Sequence, residues 1–177
     1  MDELLSIVDR LAIRMEEAGG PYQLVGGMAM FLRVREISEE NARLTNDVDV
    51  SIRRADLNTI RPLAAKHGFG YRNAAGIDRL IDAEKRKAKG AVHFVFAGEM
   101  VRAHELAPVP DISIPERFQQ VYVASISHLL IVNLTSNRFK DMAHIRDMRN
   151  VGLITPEIEA AVPEQLRDRL AFIKSHE

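Results

Sequence analysis

The sequence predicts an α+β fold in which a mixed sheet flanked by helices is followed by a C-terminal helical layer. Helix and strand patterns alternate over the first two-thirds of the 177 residues, and the last third is helical throughout. Gly26-Gly27 closes a short apolar strand and opens a helix, and Asp47 and Asp49 stand in a β-branched run further along. We therefore expect an α/β core over residues 1–125 and a helical segment over residues 126–177 packed on it.

The first part of the chain carries clear start and stop signals. Apolar residues at helical spacing predict a helix over residues 3–18, which Gly19-Gly20-Pro21 ends. The elements expected next are a strand at 22–25, a helix at 28–34, a polar loop at 37–41, a strand at 47–52 and an amphipathic helix at 55–67 that Gly68 ends.

The middle of the chain is less clear. Residues 70–90 leave helix and strand open and end in a basic run at 85–89. Residues 91–97 predict a strand, and residues 101–104 are expected to form its hairpin partner beyond Gly98-Glu99. Later helices are expected at 129–134, at 139–148, at 156–162 and from Pro163 onward.

Composition excludes several classes of protein. Apolar residues make up 46% and charged residues 28%, as in an ordinary globular domain, and the net charge of −1 creates no global field for nucleic acid or anionic membrane. The absence of cysteine excludes disulfides, thiolate catalysis and cysteine-ligated zinc. No signal-peptide pattern and no membrane-length apolar run is present, so we expect a cytoplasmic protein without a membrane partner.

The aspartate pair is the strongest chemical signal. Residues two apart in a strand point to the same face, so Asp47 and Asp49 are expected to project side by side. Two such carboxylates are hard-oxygen ligands suited to Mg²⁺, and the turn at Gly26-Gly27 can bring backbone N–H groups close to a phosphate. The pattern indicates a metal-assisted nucleotide site, although the same aspartates could be a solvated strand end.

Four ordered segments resemble the nucleotidyltransferase superfamily typified by DNA polymerase β-like and antibiotic-modifying enzymes. They are the glycine pair followed by Arg43-x-Thr45-x-Asp47-Val48-Asp49, the strand Val92–Ala97 with Gly98-Glu99, the helix 129–134, and Arg138-Phe139-Lys140-Asp141. More narrowly, they are similar to the bacterial nucleotidyltransferases related to abortive-infection toxins.

The resemblance implies a fold, a reaction and a set of roles. The protein would bind a nucleoside triphosphate and Mg²⁺ or Mn²⁺, transfer a nucleoside monophosphate to a hydroxyl of RNA or protein, and release pyrophosphate. The catalytic residues would be Asp47, Asp49 and Lys140. The nucleotide-binding residues would be Gly26, Gly27, Arg43, Thr45, Arg138 and Asp141. The metal ligands would be Asp47, Asp49 and His93.

The chain departs from the family pattern at three positions. The carboxylate expected on the third strand is His93, a lysine expected on the first C-terminal helix is Asn133, and the second acid of the Lys-Asp-x-x-Asp motif is His144. An imidazole does not supply the negative charge of a carboxylate, and it suits Mn²⁺ or Zn²⁺ better than Mg²⁺. An alternative is therefore a catalytically impaired member that acts as a nucleotide sensor or as the partner-binding half of a toxin–antitoxin pair.

Several of these residues keep an ordinary structural interpretation. His93 could be a half-buried histidine with one backbone partner, and Arg43 could be a surface arginine. Thr45 is equally a good strand residue, and Lys140-Asp141 could be first-turn charges of a helix. The basic run at 85–89 could contact an RNA backbone or form a solvated loop.

Overall fold

The computed structural model describes residues 2–82, 91–112 and 116–176, so the basic run at 85–89 lies outside the described residues. These residues form one mixed sheet of seven strands in the order β3-β4-β5-β2-β1-β7-β6. The strands are β1 (Tyr22–Val25), β2 (Val48–Ile52), β3 (Phe69–Ala74), β4 (Ile77–Asp82), β5 (Val92–Phe96), β6 (Glu116–Phe118) and β7 (Val121–Val123).

Seven α-helices lie within the same described residues. They are α1 (Asp2–Ala18), α2 (Gly26–Arg35), α3 (Leu57–Lys66), α4 (Ile126–Ser136), α5 (Phe139–Asn150), α6 (Pro156–Ala160) and α7 (Glu164–Ser175). The α+β class and the mixed sheet flanked by helices are confirmed. The boundary between two units at residue 125 stays a prediction.

The sheet register places three strand ends side by side. β1 runs antiparallel to β2, with Val25 opposite Asp49, and β2 runs parallel to β5, with Asp49 opposite His93. Because Val25 ends β1 and is followed directly by α2, the start of that helix lies beside the carboxylate of β2. Pairing at the centre of the sheet therefore brings together residues that are far apart in sequence.

The core explains why these central strands stay in place. Val48, Val50 and Ile52 on β2 are fully buried. Removing such a side chain from water contributes about 1.5–3 kcal/mol each. Even the polar side chain of Gln23 on β1 is buried, and its Nε2 lies 3.0 Å from Nδ1 of the buried His128 on α4. Burial lowers the pKa of His128 to about 4, so its ring is neutral at pH 7.

The C-terminal helices pack on this core. Leu129, Leu130 and Leu134 of α4 are fully buried, and α4 and α5 both contact α2. The last turn of α4 leaves carbonyl groups without helical partners, and Arg169 of α7 donates to the carbonyls of Leu134 and Thr135 at 2.7 Å each. α4 is thus fixed at its C-terminal end, directly before α5 begins.

Two elements differ from the sequence-based expectation. Residues 101–104 form turns rather than a strand, because Gly98 N–H donates to the carbonyl of Val109 and Val109 N–H donates to that of Glu99. The ambiguous segment after residue 70 contains the hairpin β3–β4. Its two-residue turn, Ala75-Gly76, has φ values of 52° and 77°, the left-handed conformation that tight hairpins favour.

No helix in the described part of the chain combines the length and the apolar character needed to cross a membrane.

Candidate active site

A cavity of about 520 Å³ opens at the edge of the sheet where β1 ends and β2 and β5 begin, opposite the junction of α4 and α5. Its volume is within the range of small-molecule sites. Six of the residues singled out in the sequence line it: Gly26, Asp47, Asp49, His93, Arg138 and Lys140. Four others, Gly27, Arg43, Thr45 and Asp141, lie outside its lining.

Gly26 is required by the position of Asp49. Its φ of +63° is left-handed, and a Cβ atom at this position would lie 2.1 Å from Oδ2 of Asp49. The carboxylate therefore occupies the space that any other residue would fill with its side chain. At the same point α2 begins, and no side chain caps its first N–H groups. These donors carry the positive end of the helix dipole.

Gly27 allows a second close approach, to Thr45. A Cβ atom at Gly27 would lie 2.6 Å from Thr45 Oγ1. The Thr45 hydroxyl is 3.4 Å from the backbone N–H of Asp47 and 3.3 Å from its carbonyl. Thr45 therefore holds the segment that enters β2, and its side chain supports Asp47 from outside the cavity.

His93 pairs with Asp49 across β2 and β5. Nδ1 of His93 lies 3.4 Å from Oδ1 of Asp49, and the two side chains are about a quarter exposed. The hydrogen bond to Asp49 raises the pKa of His93; partial burial opposes this rise, and the charges of Asp49 and Asp47 reinforce it. The partner of His93 is thus a carboxylate side chain rather than the backbone.

The carboxylate pair suits a hard divalent cation. Asp47 and Asp49 both line the cavity and are partly exposed, and the carboxylate of Asp49 fits the cradle left open by Gly26. Within residues 2–82, 91–112 and 116–176, no three His, Asp or Glu side chains form a group ready to hold a metal ion. Any cation held here would need further oxygen ligands from a phosphate or from water.

Arg138 faces this pair from the start of α5. Its guanidinium donates to both oxygens of Asp141, at 2.7 and 3.0 Å, and its backbone N–H donates to the same carboxylate. These hydrogen bonds raise the pKa of Arg138, and the negative charge of Asp49 adds to the rise. Arg138 is about half exposed, so part of its guanidinium remains open to the cavity.

Asp141 is the buried partner of Arg138. Its side chain is 3% exposed, and Oδ2 also accepts the hydroxyl of Ser136 at 2.6 Å. Burial would raise the pKa of Asp141, but the hydrogen bonds from Arg138 and Ser136 outweigh that effect and hold it below its ordinary value. Asp141 thus supports Arg138 from outside the cavity lining, and its expected contact with a nucleotide stays a prediction.

Lys140 is exposed at the cavity mouth one residue before Asp141. The Arg43 side chain does not point into the cavity. It forms a bidentate ion pair with Asp147 of α5, with distances of 2.5 and 3.2 Å. The guanidinium of Arg43 therefore ties the loop before Thr45 to α5, and it does not line the cavity.

The other departures from the family pattern also lie away from the cavity. Asn133 is buried and donates to the carbonyl of Leu129 in its own helix at 2.7 Å. His144 is partly buried, and burial lowers its pKa, although the negative charges of Asp141 and Asp147 act in the opposite direction. Neither side chain lines the cavity, unlike His93.

One part of the cavity was not expected from the sequence. It is formed by Arg54, by the β3–β4 turn and by the loop after β5. Arg54 donates to both oxygens of Glu99 at 2.6 Å and lies over the Phe96 ring at 3.7 Å. The sequence predicted a turn at Gly98-Glu99, but no local pattern shows that residues 45 apart form this pair.

Neither a protein-family model nor a curated protein matches this chain. Several solved structures do match this chain. The antibiotic-resistance factor ANT(2'')-Ia in solution is 12% identical with a TM-score of 0.59, and the alignment covers 99% of this chain and 98% of that one. A crystal structure of ANT(2'')-Ia in complex with adenylyl-2''-tobramycin is 11% identical with a TM-score of 0.59 and covers 99% of both chains.

An antigenic nucleotidyltransferase-like protein from Paracoccidioides brasiliensis is 17% identical with a TM-score of 0.62, and the alignment covers 100% of this chain and 89% of that one. These likenesses extend over whole chains at low identity, so they define the fold. The chain has a nucleotidyltransferase-like fold, as the motifs of its sequence indicate.

Proposed function

We propose that this protein binds a nucleoside triphosphate with Mg²⁺ or Mn²⁺ and transfers the nucleoside monophosphate to a hydroxyl group, releasing pyrophosphate. One observation carries the proposal. The carboxylate of Asp49 sits in the cradle at Gly26, beside Asp47 in the same cavity, and faces Arg138 across it. The nucleotidyltransferase-like fold supports a nucleotidyl transfer in general terms.

Each part of the site has a role in this reaction. The first N–H groups of α2 bind phosphate oxygens, and Arg138 and Lys140 neutralise charge on the leaving pyrophosphate. Asp47 and Asp49 would hold the cation, which supplies charge neutralisation at the reacting phosphoryl group. Asp141, which is buried, fixes the direction of Arg138 before any ligand arrives.

The test is calorimetric titration of the protein with each nucleoside triphosphate and Mg²⁺. The variants are Asp47→Asn/Asp49→Asn and, as a matched control, Asp168→Asn at an exposed position of α7. We expect the cavity variant to lose metal-dependent affinity by at least roughly tenfold, because two carboxylates are ligands of the cation. Equal affinity in all three proteins would disprove the assignment.

Turnover needs a separate experiment. Each labelled nucleoside triphosphate is incubated with Mn²⁺ or Mg²⁺ and with RNA, protein or a small hydroxyl compound as the acceptor. Transfer of label to one of these identifies the acceptor, and its absence in the Asp47→Asn/Asp49→Asn variant shows that the cavity performs the reaction.

A second candidate is a nucleotide sensor without catalysis. The observation that favours it is the pairing of His93 with Asp49, which places a nitrogen base where a third carboxylate would complete the metal site. Nucleotide binding with no transfer to any acceptor, unchanged in His93→Asp, would support the sensor.

We extend this second proposal from the resemblance of the sequence motifs to abortive-infection-related nucleotidyltransferases. A sensor of this kind could act as one half of a toxin–antitoxin pair in the cytoplasm, with a cognate protein as its partner. A small neighbouring reading frame whose product co-purifies with the chain would support that role.

A further inference from the structure

The cavity continues beyond the carboxylates into a second region, which we call the acceptor end. It is lined by Arg54, Ile77, Glu99, Met100, Val101 and Arg102. None of these residues has a role in the metal or phosphate contacts proposed above. The residues of the acceptor end therefore give separate information about the hydroxyl compound that accepts the nucleoside monophosphate.

The sheet order places this end opposite the phosphate-binding turn. β2, which carries Asp49, has β1 and Gly26 on one side, and β5 followed by β4 on the other. In a nucleotidyl transfer the attacking and leaving oxygens stand roughly in line on opposite sides of the phosphorus. If the leaving pyrophosphate lies at Gly26, the attacking hydroxyl approaches from the side of β5 and β4.

One carboxylate at the acceptor end is held in an ion pair. Both carboxylate oxygens of Glu99 accept hydrogen bonds from the Arg54 guanidinium at 2.6 Å. These hydrogen bonds hold the pKa of Glu99 below its ordinary value. The nearby Glu105 accepts the backbone N–H of Arg102 at 3.2 Å. The carboxylate of Glu99 is therefore already occupied by Arg54 and is not open to a cationic group of a ligand.

Apolar surface remains exposed at the same place. Ile77, Met100 and Val101 are 52%, 43% and 57% exposed while lining the cavity. Three apolar side chains are open to water around one recess. Covering them with an apolar group of a ligand would lower the free energy of the complex. Their position at the cavity mouth fits the body of a small molecule whose hydroxyl points inward.

We propose that the acceptor is an uncharged hydroxyl compound with an apolar or aromatic body, held by Ile77, Met100 and Val101. This inference rests on the proposed function and names the substrate class of the same site. It predicts weaker binding of polycationic acceptors, because they lack an apolar body to cover these side chains and the carboxylate of Glu99 is already held by Arg54.

The test measures binding of three probes by calorimetry, with and without saturating α,β-methylene-ATP and Mg²⁺. The probes are p-nitrophenyl β-D-glucoside, which is uncharged and aromatic, glucose, which lacks the apolar body, and tobramycin, which is polycationic. We expect the glucoside to bind most tightly, without competition from the nucleotide. The titration of nucleotide alone tests the proposed function separately.

Two variants locate the binding. Val101→Glu adds a charge inside the acceptor end, and Leu106→Glu adds the same charge at an exposed position outside the cavity lining. We expect Val101→Glu to weaken the glucoside by roughly tenfold, as expected for loss of an apolar contact, and Leu106→Glu to leave it unchanged. Nucleotide affinity should stay at the wild-type value in both.

Four results would overturn the inference. They are no glucoside binding, equal or tighter binding of glucose or tobramycin, identical behaviour of the two variants, and competition between glucoside and nucleotide. The last would mean that the apolar surface holds the nucleoside rather than the acceptor.

Discussion

The carboxylate of Asp49 occupies the space in which Gly26 lacks a side chain, although Gly26 begins α2, Asp49 lies on β2, and no hydrogen bond joins the two residues in the described structure. This fit makes the glycine and the carboxylate one structural unit. A change at either residue therefore alters the start of α2 and the metal-binding face together.

Gly26→Ala should destabilise the protein and also weaken nucleotide binding. The left-handed φ costs a non-glycine residue about 1–2 kcal/mol, and the new Cβ would displace Asp49. Chemical denaturation and calorimetry with nucleotide and Mg²⁺ measure the two effects.

Gly152→Ala is the matched control for this prediction. Gly152 has a similar φ of +76° but has no atom within 4 Å of its Cβ position. It should lose stability while keeping wild-type nucleotide affinity. Unchanged nucleotide affinity in Gly26→Ala would show that the close approach to Asp49 has no bearing on binding.

His93→Asp should raise Mg²⁺-dependent transfer, because it returns a negative charge beside Asp49 where a hard cation would bind. Asn133→Lys should bring no gain and should lower stability. Its amide is 3% exposed and bonded within α4, so a lysine there would bury a charge away from the cavity. Labelled-nucleotide transfer and thermal unfolding of both variants check this contrast, and a larger gain from Asn133→Lys would contradict it.

Asp141→Asn should weaken nucleotide binding by acting through Arg138. Because Asp141 fixes the guanidinium by two hydrogen bonds, removing either partner should give a similar loss, and the double variant should lose little more. A double-mutant cycle with Arg138→Ala, measured by nucleotide titration, gives the coupling. Full additivity of the two changes would show that the residues act independently.

Acid should destabilise the fold through His128. Its folded pKa of about 4 lies below the unfolded value of 6.5, so the unfolded chain takes up the proton first as the pH falls. Stability should be greatest above pH 6.5 and should decline between pH 6.5 and 4, by about 3 kcal/mol in total from this residue. Denaturation curves across that range, with His128→Gln for comparison, measure the slope; equal slopes in both proteins would rule out His128 as the cause.

Local patterns in the sequence were enough for the fold class and for most elements. The helix at residues 3–18 and the strand at 22–25 were predicted because apolar spacing and glycine stops act over a few residues. The β3–β4 hairpin was not resolved, since Ala75-Gly76 is a weak turn signal until both strands are paired. The expected strand at 101–104 was wrong because β5 pairs with other neighbours.

The candidate site was harder to predict than the fold, because many of its contacts join residues that are far apart in sequence. Period-two spacing places Asp47 and Asp49 on one face, and the structure brings both to the glycine turn. The ion pair of Arg43 with Asp147 joins residues 104 apart, so no local pattern in the sequence could predict it. Long-range ion pairs decide which cationic side chains remain open to a ligand.

The order of the site residues along the chain has a consequence for protein synthesis. The glycine turn and the aspartates leave the ribosome before Arg138 and Lys140, which follow them in the chain. A nascent chain that is arrested before α5 would carry Asp47 and Asp49 without the Arg138 that faces them across the cavity. Ribosome-bound chains of increasing length should therefore acquire nucleotide affinity abruptly, once α5 can dock on α2.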